Sequence, residues 1–290
     1  MTPPLLNSIA NLRSRFAAEG LSADTAALFR EIVYDDYRKH GRSLPWRETR
    51  DPYAILVSEV MLQQTQVERV TEKFREFLVS FPDFSALVAA PLQEVLACWQ
   101  GLGYNRRAVS LKLCAEVVVA RWGGTLPSSP EELQTLPGIG PYTARAVAAF
   151  AFDAPTVFIE TNIRTVFIHL LFPDVEKVHD RDILPHVAAV LDRENPRKWY
   201  SALMDYGSAL KREHSNPSRR SVHHVRQSPF RGSNREVRGM ILKALLQQPG
   251  MTATKLVTCL GKDGDVVGKN LEQLRKEGFL VSRGKCFFIA

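Results

Sequence analysis

Residues 136–144 read Leu-Pro-Gly-Ile-Gly-Pro-Tyr-Thr-Ala, and this stretch decides the fold of the 290-residue chain. Because glycine tolerates positive φ angles, Gly138 and Gly140 predict a tight hairpin. The segment before the hairpin predicts a helix, since Pro130 is suited to the first helical position. A second helix is predicted to begin at Pro141 and to end near residue 150. The stretch therefore predicts a helix, a glycine hairpin and a second helix.

Two roles are open to this hairpin. The backbone N–H groups of Gly138 and Gly140, with the start of the following helix behind them, can bind an anion, which in nucleic acid is a phosphate. The alternative is an ordinary corner between two helices. The glycine spacing alone does not distinguish the two.

The overall composition favours a globular protein with an anionic partner. Hydrophobic residues make up 45% and charged residues 24% of the chain, as in globular domains. The net charge is +7 and the pI is about 9.3, which favours nucleic acid as a partner. No apolar run reaches the ~20 residues that span a bilayer, and the N-terminus lacks the apolar core of a secretory signal. We expect a monomer located in the cytoplasm.

Helical periodicity predicts a mainly α chain over about the first 230 residues. The last segment instead predicts three helices followed by a β-hairpin, which is the order of a winged helix. Lys269, Arg275 and Lys276 lie on or near its predicted recognition helix. This segment either contacts DNA or acts as a capping or protein-contact module. We predict four regions: an N-terminal extension (1–25), a helical domain (26–215), a basic linker (216–233) and the winged helix (234–290).

Several short strings between residues 44 and 210 resemble one protein family. These strings are Leu44-Pro45-Trp46-Arg47, Asp51-Pro52-Tyr53, Ser58-Glu59-Val60-Met61-Leu62-Gln63-Gln64-Thr65, Gly101-Leu102-Gly103-Tyr104 and the hairpin. Together they resemble the helix-hairpin-helix DNA glycosylases, the superfamily of endonuclease III, and most closely its MutY branch. The resemblance implies two helical lobes with the substrate base bound between them. It also implies a double-stranded DNA partner that carries a mismatch or a lesion.

The chemistry of base removal requires two carboxyl groups in different environments. Hydrolysis of an N-glycosidic bond passes through an oxocarbenium-like sugar, so an acid must activate the leaving base and an anion must stabilise the cation. Glu59 and Glu160 are the candidates. By resemblance, Glu59 matches the glutamate that protonates the purine, although an ordinary helix-surface glutamate is the alternative. Glu160 stands where the family ordinarily has aspartate, close to Asn162. We expect Glu59, Glu160 and Asn162 in the catalytic site.

The residue at position 142 predicts hydrolysis without strand cleavage. In the bifunctional branch of the family a lysine at this position forms a Schiff base with the sugar, and the phenol of Tyr142 cannot do so. The resemblance also implies a set of DNA-binding residues, although a polar helix face and a half-buried tyrosine are alternatives for three of them. The set comprises Gln63, Gln64, Tyr104, Gly138, Gly140 and Arg47.

Two departures from the family pattern affect the expected cofactor and substrate. Relatives usually hold a [4Fe–4S] cluster on cysteines that follow the helix containing Tyr206. Residues 211–230 contain no cysteine, which excludes a cluster held there by thiolates; we expect no cofactor and no metal site, despite His214, His223 and His224. MutY proteins also carry a C-terminal Nudix-like domain that reads 8-oxoguanine, where this chain has the predicted winged helix.

The substrate base is therefore left open. By the nearest analogy, the enzyme removes adenine opposite guanine or 8-oxoguanine. The alternative base is uracil, thymine or another modified pyrimidine. An alternative of another class is a DNA-binding protein without catalytic activity.

Overall fold

The computed structural model describes residues 3–213, 215–225 and 229–290. Its first helices begin and end at local signals in the sequence. Ser22 caps the second helix by accepting a hydrogen bond from the N–H of Thr25, and Gly123 ends the eighth in the left-handed conformation. The eight helices are α1 (Pro3–Glu19), α2 (Ala23–His40), α3 (Pro45–Glu48), α4 (Pro52–Leu62), α5 (Val67–Ser80), α6 (Phe84–Ala89), α7 (Leu92–Cys98) and α8 (Arg106–Trp122).

The first two of the next helices flank the glycine hairpin in the sequence. Pro130 and Pro141 occupy the first helical positions on either side of it, where a missing N–H costs nothing. The helices are α9 (Pro130–Leu133), α10 (Pro141–Phe152), α11 (Thr161–Leu171), α12 (Asp180–Val190) and α13 (Pro196–Glu213), followed by a 3₁₀ turn at Pro217–Arg220.

The C-terminal segment combines helices with a small antiparallel sheet. Its elements are α14 (Asn234–Gln247), β1 (Met251–Thr252), α15 (Ala253–Leu260), α16 (Gly264–Lys276), β2 (Leu280–Arg283) and β3 (Cys286–Ile289). The strand order is β1-β3-β2, with Met251 paired to Phe287 and Leu280 paired to Ile289. The three predicted helices and the predicted hairpin are present, with β1 in addition. The winged-helix assignment itself stays a prediction.

The chain divides into two compact units. The first contains residues 1–52, 128–131 and 140–226, and the second contains residues 53–127, 132–139 and 227–290. The C-terminal segment thus belongs to the same unit as α4–α8. The prediction of a mainly α fold is confirmed, since strands occur only in the C-terminal segment among the described residues. No helix in the described part of the chain is long and apolar enough to cross a membrane.

The core of the first unit depends on close packing of α11 against α13. Phe29, Phe167 and Trp199 are fully buried there, and the two phenyl rings lie 4.9 Å apart. A Cβ atom at Gly207 would lie 2.2 Å from the carbonyl oxygen of Asn162. Glycine at this position therefore allows the two helix backbones to approach, which brings the start of α11 against α13.

The core of the second unit has an aromatic centre under α8. Phe77 contacts Phe81 and Trp99 edge to face, at centroid distances of 4.9 and 5.8 Å. Phe77, Trp99 and Phe279 are each fully buried, and each side chain of this size contributes about 2–3 kcal/mol by burial. These contacts hold α5 against Trp99, the residue that directly follows α7.

Candidate active site and DNA-binding residues

Glu160 is held rigidly at the start of α11 in the first unit. Its carboxylate accepts hydrogen bonds from the backbone N–H groups of Asn162 (2.6 Å) and Ile163 (2.9 Å), so Glu160 is the N-cap of the helix. The positive end of the helix dipole favours a negative charge at this position. The sequence predicts a helix start at Glu160 or Thr161, and the structure places the Glu160 carboxylate at that start.

Lys211 from α13 completes the surroundings of this carboxylate. Its ammonium group donates a 2.7 Å hydrogen bond to Oδ1 of Asn162, whose side-chain NH₂ lies 3.4 Å from Oε2 of Glu160. Burial raises the pKa of the Glu160 carboxyl, while the charge of Lys211 and the two backbone N–H groups oppose that rise. Burial likewise lowers the pKa of Lys211, and Glu160 opposes this shift. The sequence analysis missed Lys211, which no local motif marks.

Tyr142 lies in the first turn of α10, in the same unit. Its ring packs edge to face against Phe158, 5.6 Å away, and Phe158 stacks on Tyr200 at 4.0 Å. The hydroxyl of Tyr200 donates to the carbonyl oxygen of Thr156 (2.6 Å). This aromatic stack fixes the extended segment that leads into Glu160, so Tyr142 and Glu160 are positioned by the same packing.

Arg47 lies in a buried ion pair. Its guanidinium donates two 2.8 Å hydrogen bonds to the carboxylate oxygens of Asp205, whose side chain is 3% exposed, and it also donates to the carbonyl oxygen of Arg42. Burial opposes ionisation of Asp205, but hydrogen bonds from Arg47 and Arg42 hold its pKa below the ordinary value. The side chain of Arg47 therefore joins α3 to α13, and the DNA contact predicted for it stays a prediction.

Glu59 lies in the second unit, on a helix that is apolar on almost every side. All the residues from Tyr53 to Met61 are buried, and Glu59 is only 6% exposed. The structure thus rules out the helix-surface alternative for Glu59. The catalytic role of Glu59 stays a prediction.

Gln63 and Gln64 follow α4 and are not part of it. The helix ends at Leu62, and Gln64 has a φ of 56°. The helical pattern of the sequence runs from residue 54 to residue 67, so the helix ends earlier than that pattern predicts. Tyr104, in the turn before α8, also has a positive φ, of 47°. Left-handed backbone is costly for residues other than glycine, and such strain clusters at binding sites.

Arg107 joins the two turns that contain Gln64 and Tyr104. Its guanidinium donates to six oxygens, three on each terminal nitrogen, and it lies 5.6 Å from the centre of the Tyr104 ring. The acceptors are the carbonyls of Val60 (2.8 Å), Met61 (2.8 Å), Gln63 (2.6 Å), Leu102 (3.3 Å) and Gly103 (3.0 Å) and the hydroxyl of Thr65 (3.0 Å). Burial lowers the pKa of Arg107 to about 10, which still leaves it charged at neutral pH. The sequence analysis missed this residue.

The two hairpin glycines have different backbone conformations. Gly138, in the second unit, has a φ of 77°, and a Cβ there would lie 2.6 Å from Cβ of Ser110. Gly140, in the first unit, is the N-cap of α10 with a φ of −83°. Positive φ is thus needed only at Gly138, which corrects the expectation for both. Within the described part of the chain, neither glycine N–H donates to a backbone carbonyl, as an anion site requires.

The chain does not offer ligands for a thiolate-held cluster. Its four cysteines lie apart in the sequence, and Cys114 is buried in α8. No cluster of three metal-ligating side chains occurs among the residues that the structure describes, and His214 lies outside them. The segment after α13 is instead fixed by Arg220, which donates to the carbonyl oxygens of Pro173 (2.7 Å) and Val175 (3.0 Å).

Comparison with known proteins relates this chain to DNA repair proteins. Residues 57–188 match the family "HhH-GPD superfamily base excision DNA repair protein". An adenine DNA glycosylase of Mycolicibacterium smegmatis is 40% identical over 179 residues, which are 61% of this chain and 60% of that protein. The mouse (Mus musculus) adenine DNA glycosylase is 41% identical over 153 residues, 50% of this chain and 30% of its own length. The chain thus spans three fifths or less of the length of these relatives.

Solved structures show the same fold. A thermostable thymine-DNA glycosylase aligns with a TM-score of 0.57 and 25% identity, over 68% of this chain and 95% of that one. Endonuclease III trapped covalently on DNA aligns with a TM-score of 0.52 and 19% identity, over 72% and 91%. The family match, the relatives and these structures together confirm the resemblance inferred from the short motifs.

Proposed function

We propose that this chain, whose residues 57–188 match the HhH-GPD family, is a DNA glycosylase that removes a base from a mismatched or damaged pair. The observation that carries the proposal is Glu160, a carboxylate fixed by two backbone N–H groups and balanced by Lys211. Adenine is the proposed base, because the relatives of 38–41% identity are named adenine DNA glycosylases. Guanine or 8-oxoguanine is the proposed partner base.

The proposed mechanism assigns different tasks to the two carboxyl groups. The base is first extruded from the duplex into the site. Glu59 in its acid form donates a proton to the departing purine, while the ionised carboxylate of Glu160 stabilises the positive charge that develops on the sugar. Water then adds to the anomeric carbon and loses a proton to Glu59. The products are the free base and an abasic site, and Glu59 regains its proton.

The enzyme is proposed to be monofunctional. Tyr142 occupies the position where the bifunctional relatives use a lysine, and a phenol forms no Schiff base with an aldehyde. Hydrolysis by two carboxyl groups needs no redox group, so we propose that no cofactor takes part in the reaction. The proposed DNA contacts are those of Gln63, Gln64 and Tyr104 with the duplex, and of the hairpin N–H groups with a phosphate. We further propose that the protein acts as a monomer.

A single-turnover excision assay tests this function. Duplexes carrying A·G, A·8-oxoguanine, T·G or U·G pairs are incubated with protein, and abasic sites are then cleaved with alkali. We expect alkali-dependent cleavage of the adenine strand, a loss of at least a hundredfold in Glu59→Gln and in Glu160→Gln, and little change in Glu72→Gln, an exposed control on α5.

Three outcomes would contradict parts of this proposal. Cleavage of only the T·G or U·G duplex would show that the substrate base is a pyrimidine and not adenine. Full activity of Glu59→Gln would remove Glu59 as the acid. Strand breaks without alkali, or trapping of the protein on DNA by borohydride in good yield, would show lyase chemistry.

A further inference from the structure

The C-terminal segment forms one wall of a large cavity in the second unit. The cavity has a volume of about 1250 Å³, and α14 faces the turn before α8 across it. Four residues with predicted DNA contacts line the same cavity, namely Gln63, Gln64, Tyr104 and Gly138. The helix that opens the C-terminal segment therefore lies beside these four residues.

The charge of this cavity is strongly positive. Among the described residues, one carboxylate lines it, that of Glu277, and this carboxylate pairs with two arginines, Arg238 (2.5 Å) and Arg106 (3.4 Å). The cationic residues that line it are Arg69, Arg106, Arg107, Arg235, Arg238 and Lys243. Because one carboxylate cannot balance six cations, the cavity favours a polyanion with closely spaced charges.

A direct contact joins α14 to Tyr104 in the turn before α8. Arg235, in the first turn of α14, donates a hydrogen bond to the hydroxyl of Tyr104, and its guanidinium lies 5.1 Å from the centre of the Tyr104 ring. Cation–π contacts of this kind favour one ring orientation. The exposed side chain of Lys243 lies two turns further along the same helix and lines the same cavity.

We infer that α14 is the DNA-binding helix of the C-terminal segment, and that its Arg235 and Lys243 contact the phosphates of a DNA strand that passes the Tyr104 turn. The inference rests on the proposed function, since it takes DNA as the polyanion. It differs from the sequence expectation, which placed DNA contacts on the third helix of this segment.

The third helix lacks these features. Lys269 and Lys276 on α16 are exposed but do not line the cavity. Arg275 on the same helix pairs with Glu272 at 3.1 Å. Lys269 and Lys276 therefore provide a matched comparison within the same segment, because replacing both removes the same amount of charge as replacing Arg235 and Lys243.

Equilibrium binding to an undamaged duplex tests the inference. The double variants Arg235→Ala/Lys243→Ala and Lys269→Ala/Lys276→Ala are compared with the wild type by fluorescence anisotropy between 0.05 and 0.3 M salt. The plot of log K against log salt has a negative slope, and each phosphate contact contributes about 0.9 to its steepness. Losing two contacts should therefore make the slope less steep by about 2. Because this electrostatic contribution disappears near 1 M salt, the affinity of the α14 variant should fall about 60-fold at about 0.1 M. The α16 variant should bind within about twofold of the wild type.

Every result bears on the assignment. Unchanged affinity and slope in the α14 variant would overturn it, as would equal losses in both variants. If circular dichroism shows that the α14 double variant unfolds, Lys243→Ala alone carries the test, with about an eightfold loss and a slope lowered by about 1. Binding to undamaged DNA does not require catalysis, so the inference can fail while excision persists, and excision can be absent while the inference holds.

Discussion

Replacing Arg107 by methionine should destabilise the protein and remove its activity together. Methionine keeps much of the length of the side chain but donates no hydrogen bond. The change leaves six oxygens without the guanidinium, including the carbonyls of Val60, Met61 and Gln63 that follow or end α4. These oxygens belong to the two turns that hold Gln64 and Tyr104 in left-handed conformations.

The magnitude follows from the contacts. A hydrogen bond to a charged group contributes about 1.5–3 kcal/mol, and a buried acceptor left alone costs about 1–3 kcal/mol. Water can reach the exposed residue Gly103, so the six losses do not add. We expect the free energy of unfolding to fall by about 3–5 kcal/mol, a value typical of breaking a buried charged contact.

Urea denaturation measures this loss, and Arg106→Met is the matched control. Arg106 is the preceding residue on α8, with a side chain that is 70% exposed, so we expect a change within about 0.5 kcal/mol. Arg107→Lys should recover part of the stability only, because an ammonium group cannot reach both turns at once. If Arg107→Met unfolds within about 0.5 kcal/mol of the wild type, the guanidinium does not hold these turns.

Two further predictions concern the first unit. Replacing Lys211 by methionine should raise the pKa of Glu160 further, since the charge of Lys211 opposes the rise caused by burial. As the pH is lowered, the variant should then lose excision activity at a higher pH than the wild type. An unchanged single-turnover pH profile would contradict the proposal that ionised Glu160 is needed for excision. Arg47→Ala leaves the buried carboxylate of Asp205 with less compensation, so urea denaturation should show a loss of about 3 kcal/mol. If Arg47→Ala keeps its stability but binds DNA more weakly, the result would support the DNA contact predicted for Arg47.

Local chemistry accounts for the features that the sequence predicted well. The sequence predicts a long helix from about residue 106 to residue 122. The structure has α8 at Arg106–Trp122, and Gly123 supplies a left-handed residue directly after it. Glu160 caps α11 through N–H groups two and three residues away. Such signals act within one helical turn, so they are readable without knowledge of any partner segment.

The tertiary structure decided the contacts between residues far apart in the chain. Arg47 binds Asp205, 158 residues away, in an ion pair that the sequence did not predict. Arg107 donates hydrogen bonds to carbonyl oxygens at the end of α4, 44–47 residues earlier in the chain. Because these carbonyls accept from Arg107, the helix ends before Gln63. No nearby sequence pattern predicts either of these contacts. A buried arginine can donate its hydrogen bonds to any oxygens that the fold brings within reach, wherever they lie in the sequence.

The same distinction applies to the glycine hairpin and to the C-terminal segment. Residues 136–144 by themselves determined a helix, a turn and a helix, because glycine and proline restrict the backbone locally. Only the folded chain showed that Gly138 packs against Ser110, and that α14 rather than α16 lies beside Tyr104. Which face of a helix meets a distant turn depends on the packing of the whole unit, and periodicity along one helix does not contain that information.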